Sequence, residues 1–352
     1  MKKTMLLVAG LMVAAVMVRA QEDESPLVIS GSVDAYYKYD FSGYQAENGT
    51  SNIQTAFANE QNSISLGMVD IALSKQAGKA SFVGEVSFGP RGQAQSLLNA
   101  NGEYSEEANS FHIQNLYVSY AFTEEFSMTA GFMGTFIGYE VISPAANFNY
   151  STSRLFSYGP FQNAGIKANY AFSEKVGLMV GLFNDWNVYQ DFNGVSDFGA
   201  QLSLAPVEGW NAYINFITGS PSGTEIDLTT AYQVTDAVKI GLNAADFSLP
   251  DDAGGFQGGA LYAQYGFSDA VALGARGELF KFKDADDPDN PGQQTEGNRY
   301  FSVTLSGNVK AGPLTFIPEI RLDSSSAEEF FDSDMGMTKQ ASQFVLAAVY
   351  SF

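Results

Sequence analysis

The chain has 352 residues, no Cys, one His, and 39 Asp and Glu against 18 Lys and Arg, a net charge of −21. These counts exclude a disulfide framework, thiolate metal sites, a Cys nucleophile and a metal centre built on several imidazoles. They also exclude nucleic acid, because phosphate binding needs clustered Lys and Arg. Aromatic residues at 14%, 35 Gly and only 16% charged residues suit a chain that faces lipid.

The first element in chain order is a secretory signal. Lys2 and Lys3 form a positive start, Thr4 to Met17 an apolar stretch, and Val18-Arg19-Ala20 a small-residue cleavage site. Residues 1–20 read as a cleaved signal peptide and 21–352 as a single outer-membrane domain. The alternative is a retained anchor helix, for which the apolar stretch is short. Loss of Lys2, Lys3 and Arg19 leaves a charge of −24.

No later segment has the length of apolar run that a transmembrane helix needs. Period-two alternation takes over instead, and it predicts sixteen strands: 28–41, 63–75, 80–89, 110–122, 126–138, 161–172, 176–187, 197–205, 210–218, 224–234, 238–247, 258–267, 270–283, 298–310, 313–323 and 340–352. Short connections such as Ser173-Glu-Lys and Ser268-Asp alternate with long polar ones. That pattern predicts an all-β, antiparallel, up-and-down transmembrane barrel with short periplasmic turns and long extracellular loops, in the outer membrane of a Gram-negative bacterium. Open sheet edges cannot be left in hydrocarbon, so the barrel must close.

A small repeat supports the register. Tyr120-Ala-Phe, Tyr170-Ala-Phe, Tyr265-Gly-Phe and Tyr350-Ser-Phe each close an even-numbered strand. The repeat predicts an aromatic girdle at the periplasmic interface. The last strand, with Phe344, Leu346, Ala348, Tyr350 and Phe352 on one face, looks like a signal for the outer-membrane assembly machinery. Membrane lipid and lipopolysaccharide are the other expected partners.

The opposite strand face is polar, which predicts a water-filled lumen. By parity it carries eleven acids (Asp34, Asp40, Asp70, Glu85, Asp185, Asp197, Glu225, Asp227, Glu278, Glu319, Asp323) and six bases (Lys38, Arg91, Lys167, Lys239, Arg276, Arg321), a balance of −5. Carboxylate rings favour cations, so the sum predicts weak cation preference unless arginines converge at the narrowest point.

Three other chemistries are weighed on particular residues. An outer-membrane lipase would use His112 with Ser110, yet the two lie about 7 Å apart along one strand and no Gly-x-Ser-x-Gly elbow occurs. Glu225 and Asp227 have the residue types of a glycosidase pair but read as solvated lumen charges. The 284–297 stretch, Asp284-Ala-Asp-Asp-Pro-Asp-Asn-Pro-Gly, is acidic enough for Ca²⁺ but lacks a spaced ligand pattern. A surface-exposed structural or adhesin-type barrel is a further class. No catalytic residue, metal or cofactor is assigned.

Finally, the segments Gly131-Phe-Met-Gly-Thr-Phe-Ile-Gly-Tyr-Glu-Val-Ile-Ser-Pro, Asn147-Phe-Asn-Tyr-Ser-Thr-Ser, Gly159-Pro-Phe-Gln-Asn-Ala-Gly-Ile-Lys-Ala-Asn-Tyr and Gly181-Leu-Phe-Asn-Asp-Trp-Asn resemble the OmpL-like porins, the beta-barrel porin 2 family. The resemblance is firm over about 131–205, and Asn184-Asp185-Trp186-Asn187 stands where the family commonly has Asn-Gly-Trp-Asp. It implies a channel for ions and small hydrophilic solutes. By analogy with sixteen-stranded porins it implies a possible homotrimer and a third long loop, here 139–160, folded into the lumen as a constriction. Expected constriction groups are Glu140, Asn147, Asn149 and Arg154 from the loop and Arg91, Arg276 and Arg321 from the wall, with Asp34, Glu85, Glu278 and Glu319 as counter-charges.

Overall fold

The structure, a computed structural model, describes residues 25–93, 98–99, 111–286 and 294–352. The signal-peptide reading of 1–20, Ser110 and residues 287–293 of the acidic 284–297 stretch lie outside the described residues.

Sixteen strands build one closed antiparallel barrel: β1 (Val28–Asp40), β2 (Ser63–Ala77), β3 (Ala80–Phe88), β4 (Phe111–Ala121), β5 (Phe126–Gly134), β6 (Gln162–Ser173), β7 (Val176–Phe183), β8 (Asp197–Leu204), β9 (Trp210–Gly219), β10 (Gly223–Gln233), β11 (Val238–Ser248), β12 (Gly255–Gly266), β13 (Val271–Phe282), β14 (Arg299–Ala311), β15 (Leu314–Ser325) and β16 (Gln340–Ser351). Each pairs with its sequence neighbours, and β1 closes on β16 from Ser32↔Ser351 to Asp40↔Gln343. Gly31 and Phe352 extend that seam with reciprocal backbone hydrogen bonds of 3.1 and 3.0 Å. Among the described residues no helix is long and apolar enough to cross a membrane. Two short helices, α1 (Pro90–Gln93) and α2 (Arg154–Tyr158), lie in connections.

The outward face is what lipid requires. Ile64, Leu66, Leu116, Leu261, Leu279 and Leu305 are all exposed. At the short-turn end the sequence repeat becomes a row of edge-on ring pairs: Tyr120–Phe122 at 4.9 Å, Tyr170–Phe172 at 5.0 Å and Tyr265–Phe267 at 4.8 Å. Each pair is exposed and stands where an interfacial girdle belongs.

Three strand ends differ from the sequence reading by three residues or more. The fifth strand stops at Gly134 rather than 138, because Thr135 donates to the Phe161 carbonyl (3.0 Å) and the chain then leaves the wall. The seventh stops at Phe183 rather than 187: Asn187 takes a left-handed φ of 64°, and its side chain accepts from Phe161 N and Gln162 N. Asn tolerates that backbone, so the altered family motif closes the turn with a side-chain amide. The twelfth strand begins earlier, at Gly255.

The largest departure concerns the lumen. On its long-loop side, packed side chains cover part of the inner wall. Inward-facing Phe247, Phe256, Phe280, Tyr262 and Tyr300 form one buried cluster with Ile53 and Leu155, and Tyr36, Tyr150 and Ile317 form a second. The alternation marked these strands correctly but could not say what would cover their inner face.

Candidate channel interior

Residues 135–160 leave β5, cross the barrel interior and return to β6. A segment without regular structure must place its backbone polar groups somewhere, and here the wall supplies the partners. Gly138 N donates to Asp227 (3.1 Å). Tyr150 N and Ser151 N donate to the two oxygens of Glu319, at 2.8 and 3.1 Å. Arg154 N and Leu155 N do the same with Glu278, at 3.0 and 2.9 Å. The loop carbonyls are met by arginines: Arg276 reaches Ser151 O at 2.7 Å, Arg321 reaches Thr152 O at 2.7 Å and Arg91 reaches Ile142 O at 3.2 Å.

Side chains reinforce the seam. Arg276 pairs with Glu140 at 2.6 Å, and Asp323 is shared by Arg321 (2.7 Å) and Arg154 (2.9 Å). Arg154 also lies over the Tyr300 ring at 3.7 Å. Asn149 donates to Ser306 (2.7 Å), and the Tyr150 hydroxyl donates to Asp34 (2.5 Å). Burial raises the Tyr150 pKa well above its ordinary value, aided by the Asp34 carboxylate and opposed by Arg91, so the phenol remains a donor.

Glycines on the inner wall give the loop rings their seats. Phe136 lies on Gly199, Tyr139 on Gly241 and Phe148 on Gly274, and any Cβ at those positions would enter the ring. Gly in a strand interior marks such close approach. Overpacking costs about 1–3 kcal/mol, so Gly241→Val and Gly274→Val should each lower stability by that order in urea unfolding from detergent micelles. Gly277→Ala, whose Cβ meets nothing within 4 Å, should leave it unchanged or slightly raised.

The expected site residues therefore fall into groups. Glu140, Asn149, Arg154, Arg276, Arg321, Asp34, Glu278 and Glu319 come together beneath the loop. Arg276 is 1% exposed, Arg321 0%, Glu278 1%, Glu319 2% and Asp34 3%, so these side chains hold the loop down and offer almost no surface to the lumen. Asn147 holds the loop's own turn through Val141 N (3.0 Å) and Val141 O (2.6 Å). Glu85 stands apart, bonded to Asn115 on the β3–β4 wall. Arg91 belongs to α1, so its inward position does not follow from strand parity. The balance of −5 sums mostly covered groups and is not the charge a solute meets. Sequence reasoning missed Tyr150, the role of Asp323 and the three glycine seats; inward glycines in otherwise regular strands were the available signal.

Other assigned residues resolve simply. On β16, Phe344 opposes Tyr39 and Ile320, and Tyr350 opposes Val33 and Leu314. His112 is buried opposite Ser87, and its Nε2 has no hydrogen-bond partner. No carboxylate orients it among the described residues. Asp284 accepts from Gly297 N (3.1 Å) and pairs with Lys281 (3.4 Å).

The fold recurs in solved outer-membrane channels. The chain is similar to the channel DcaP of Acinetobacter baumannii, at 12% identity and a TM-score of 0.57 over 93% of this chain and 97% of that one. It is similar to OmpF of Salmonella typhi, at 11% identity and 0.56 over 94% and 100%. The anion-selective porin from Comamonas acidovorans gives 11% identity and 0.57 over 94% and 100%. No curated protein sequence matches the chain. The family model described as beta-barrel porin-2, OmpL-like, matches residues 26–352. With a closed barrel of sixteen strands and that match over nearly its whole length, the chain belongs to the OmpL-like beta-barrel porin-2 family and is an outer-membrane channel.

Proposed function

We propose that the channel passes ions and small hydrophilic solutes by passive diffusion, with the 139–160 loop as its constriction. The observation that carries this reading is the one-sidedness of the loop. Among the described residues its hydrogen bonds run to β8, to β10, to β12 through β15 and to β1, and none reaches β3, β4 or β6. There Val83, Glu85, Tyr117, Lys167 and Asn169, on β3, β4 and β6, are inward-facing and half-exposed. A solute path between the loop and that wall would be narrow, polar and lined by few net charges.

Purified protein in planar bilayers tests the reading. Discrete conductance steps are expected, and an electrically silent barrel would sink it. Selectivity should be weak, because the inner wall carries charges of both signs, Glu85 with Lys167 and Lys239, while both rims carry acids. Such exposed charges are screened within about 10 Å at 0.1 M salt. A strongly shifted reversal potential under a KCl gradient would contradict this assignment of the path.

We also infer that the barrel performs no hydrolysis. His112→Ala should change neither conductance nor phospholipid turnover, which should be at background in both proteins. Measurable lipase activity lost on that substitution would overturn the inference.

A further inference from the structure

Beside the loop tip lies a cavity of about 100 Å³, lined by Tyr36, Phe57, Asn59, Glu60 and Arg91 together with apolar residues of 56–67 and Pro90. That is room for roughly three waters, each taking about 30 Å³, or for one small organic molecule. Arg91 is 3% exposed, and its guanidinium is clamped between the rings of Phe57 (4.7 Å) and Tyr150 (4.8 Å). One of its nitrogens is used on Ile142 O. Nε and Nη2 have no hydrogen-bond partner, and the nearest carboxylate oxygen, on Asp34, is 3.8 Å away. Asp34 is itself already held by Tyr150 Oη (2.5 Å) and Met68 N (2.8 Å). Buried donors left unpaired are costly, and such donors beside a cavity ask for an acceptor from outside.

We propose that this cavity is a solute-binding subsite for the hydroxyl groups of a small neutral polyol, a proposal that rests on the porin reading. Charge decides between classes of ligand. A carboxylate would join Asp34 and Glu60, whose two negative charges already exceed the one on Arg91. A hydroxyl accepts from Nε or Nη2 without adding charge, and donates its own proton to Glu60. The flanking faces of Phe57 and Tyr36 then cover the carbon backbone.

Saturation-transfer NMR on the detergent-solubilised wild-type protein tests this, with erythritol and sodium acetate as probes at matched ionic strength. Erythritol should give a saturable signal, lost in Arg91→Lys, which keeps the charge but not the forked donors. It should be weakened in Glu60→Ala, a half-exposed position whose change leaves the barrel folded. An acetate signal lost in Arg91→Lys, with none from erythritol, would make the cavity an anion site. Silence from both probes would make it a water pocket. Either result overturns the proposal. Conductance of the same preparation reads the porin assignment separately.

Discussion

Replacing Arg276 with alanine lowers the stability of the barrel by about 3–5 kcal/mol, the usual loss when one partner of a buried ion pair is removed. Arg276 holds Glu140 at 2.6 Å and the Ser151 carbonyl at 2.7 Å, with no solvent nearby to replace it. The loss leaves Glu140 buried and short of its cation while Ser151 O loses a donor. The loop is then free to leave the wall, so single-channel current should become noisier and larger on average. Urea unfolding and bilayer recording on one preparation measure both effects. Arg276→Met, which fills the space without the charge, should unseat the loop equally. If stability falls while conductance stays at the wild-type value, the loop is a structural plug away from the solute path. Deleting 142–156 extends the same test, with a larger and steadier conductance expected.

Removal of Phe352 should reduce the amount of assembled barrel more than any substitution of a single lipid-facing side chain. Phe352 makes two backbone hydrogen bonds with Gly31, at 3.1 and 3.0 Å, and its exposed ring stands at the lower rim of the β1–β16 seam. The seam is the last pairing that a sequentially wound barrel can make, and an unclosed edge in hydrocarbon leaves backbone groups unsatisfied at several kcal/mol each. Immunoblots of outer-membrane fractions, run with and without heating, would report both yield and closure. Normal levels of heat-modifiable protein after the deletion would refute the assembly role assigned to this residue. Phe352→Tyr, which keeps both the backbone pairing and the aromatic surface, should assemble normally.

Strand number, register and membrane side were legible along the chain for a definite reason. In a barrel each strand pairs with its sequence neighbour, so alternation such as that of Leu314, Phe316, Ile320 and Leu322 against Glu319 and Arg321 is a local record of which face meets lipid. The Tyr-x-Phe repeat adds the direction of each hairpin, because rings sort to the interface independently of tertiary contacts. Arg276, Arg321, Glu278 and Glu319 were correctly turned inward by the same rule. Their use was not legible. Whether an inward charge meets water or a loop amide depends on the path of residues 135–160, and that path is set by partners more than 100 residues away, such as Glu278 and Glu319. The inward aromatics Phe247, Phe256 and Phe280 conflict with a polar lumen when read as alternation, and make sense only once Leu155 and its neighbours pack on them. Sequence by itself determined a closed outer-membrane barrel with a polar inner face. Only the tertiary structure decided which of those polar groups are spent on the loop and which are left for a solute, because desolvation and pairing depend on three-dimensional neighbours that no periodicity encodes.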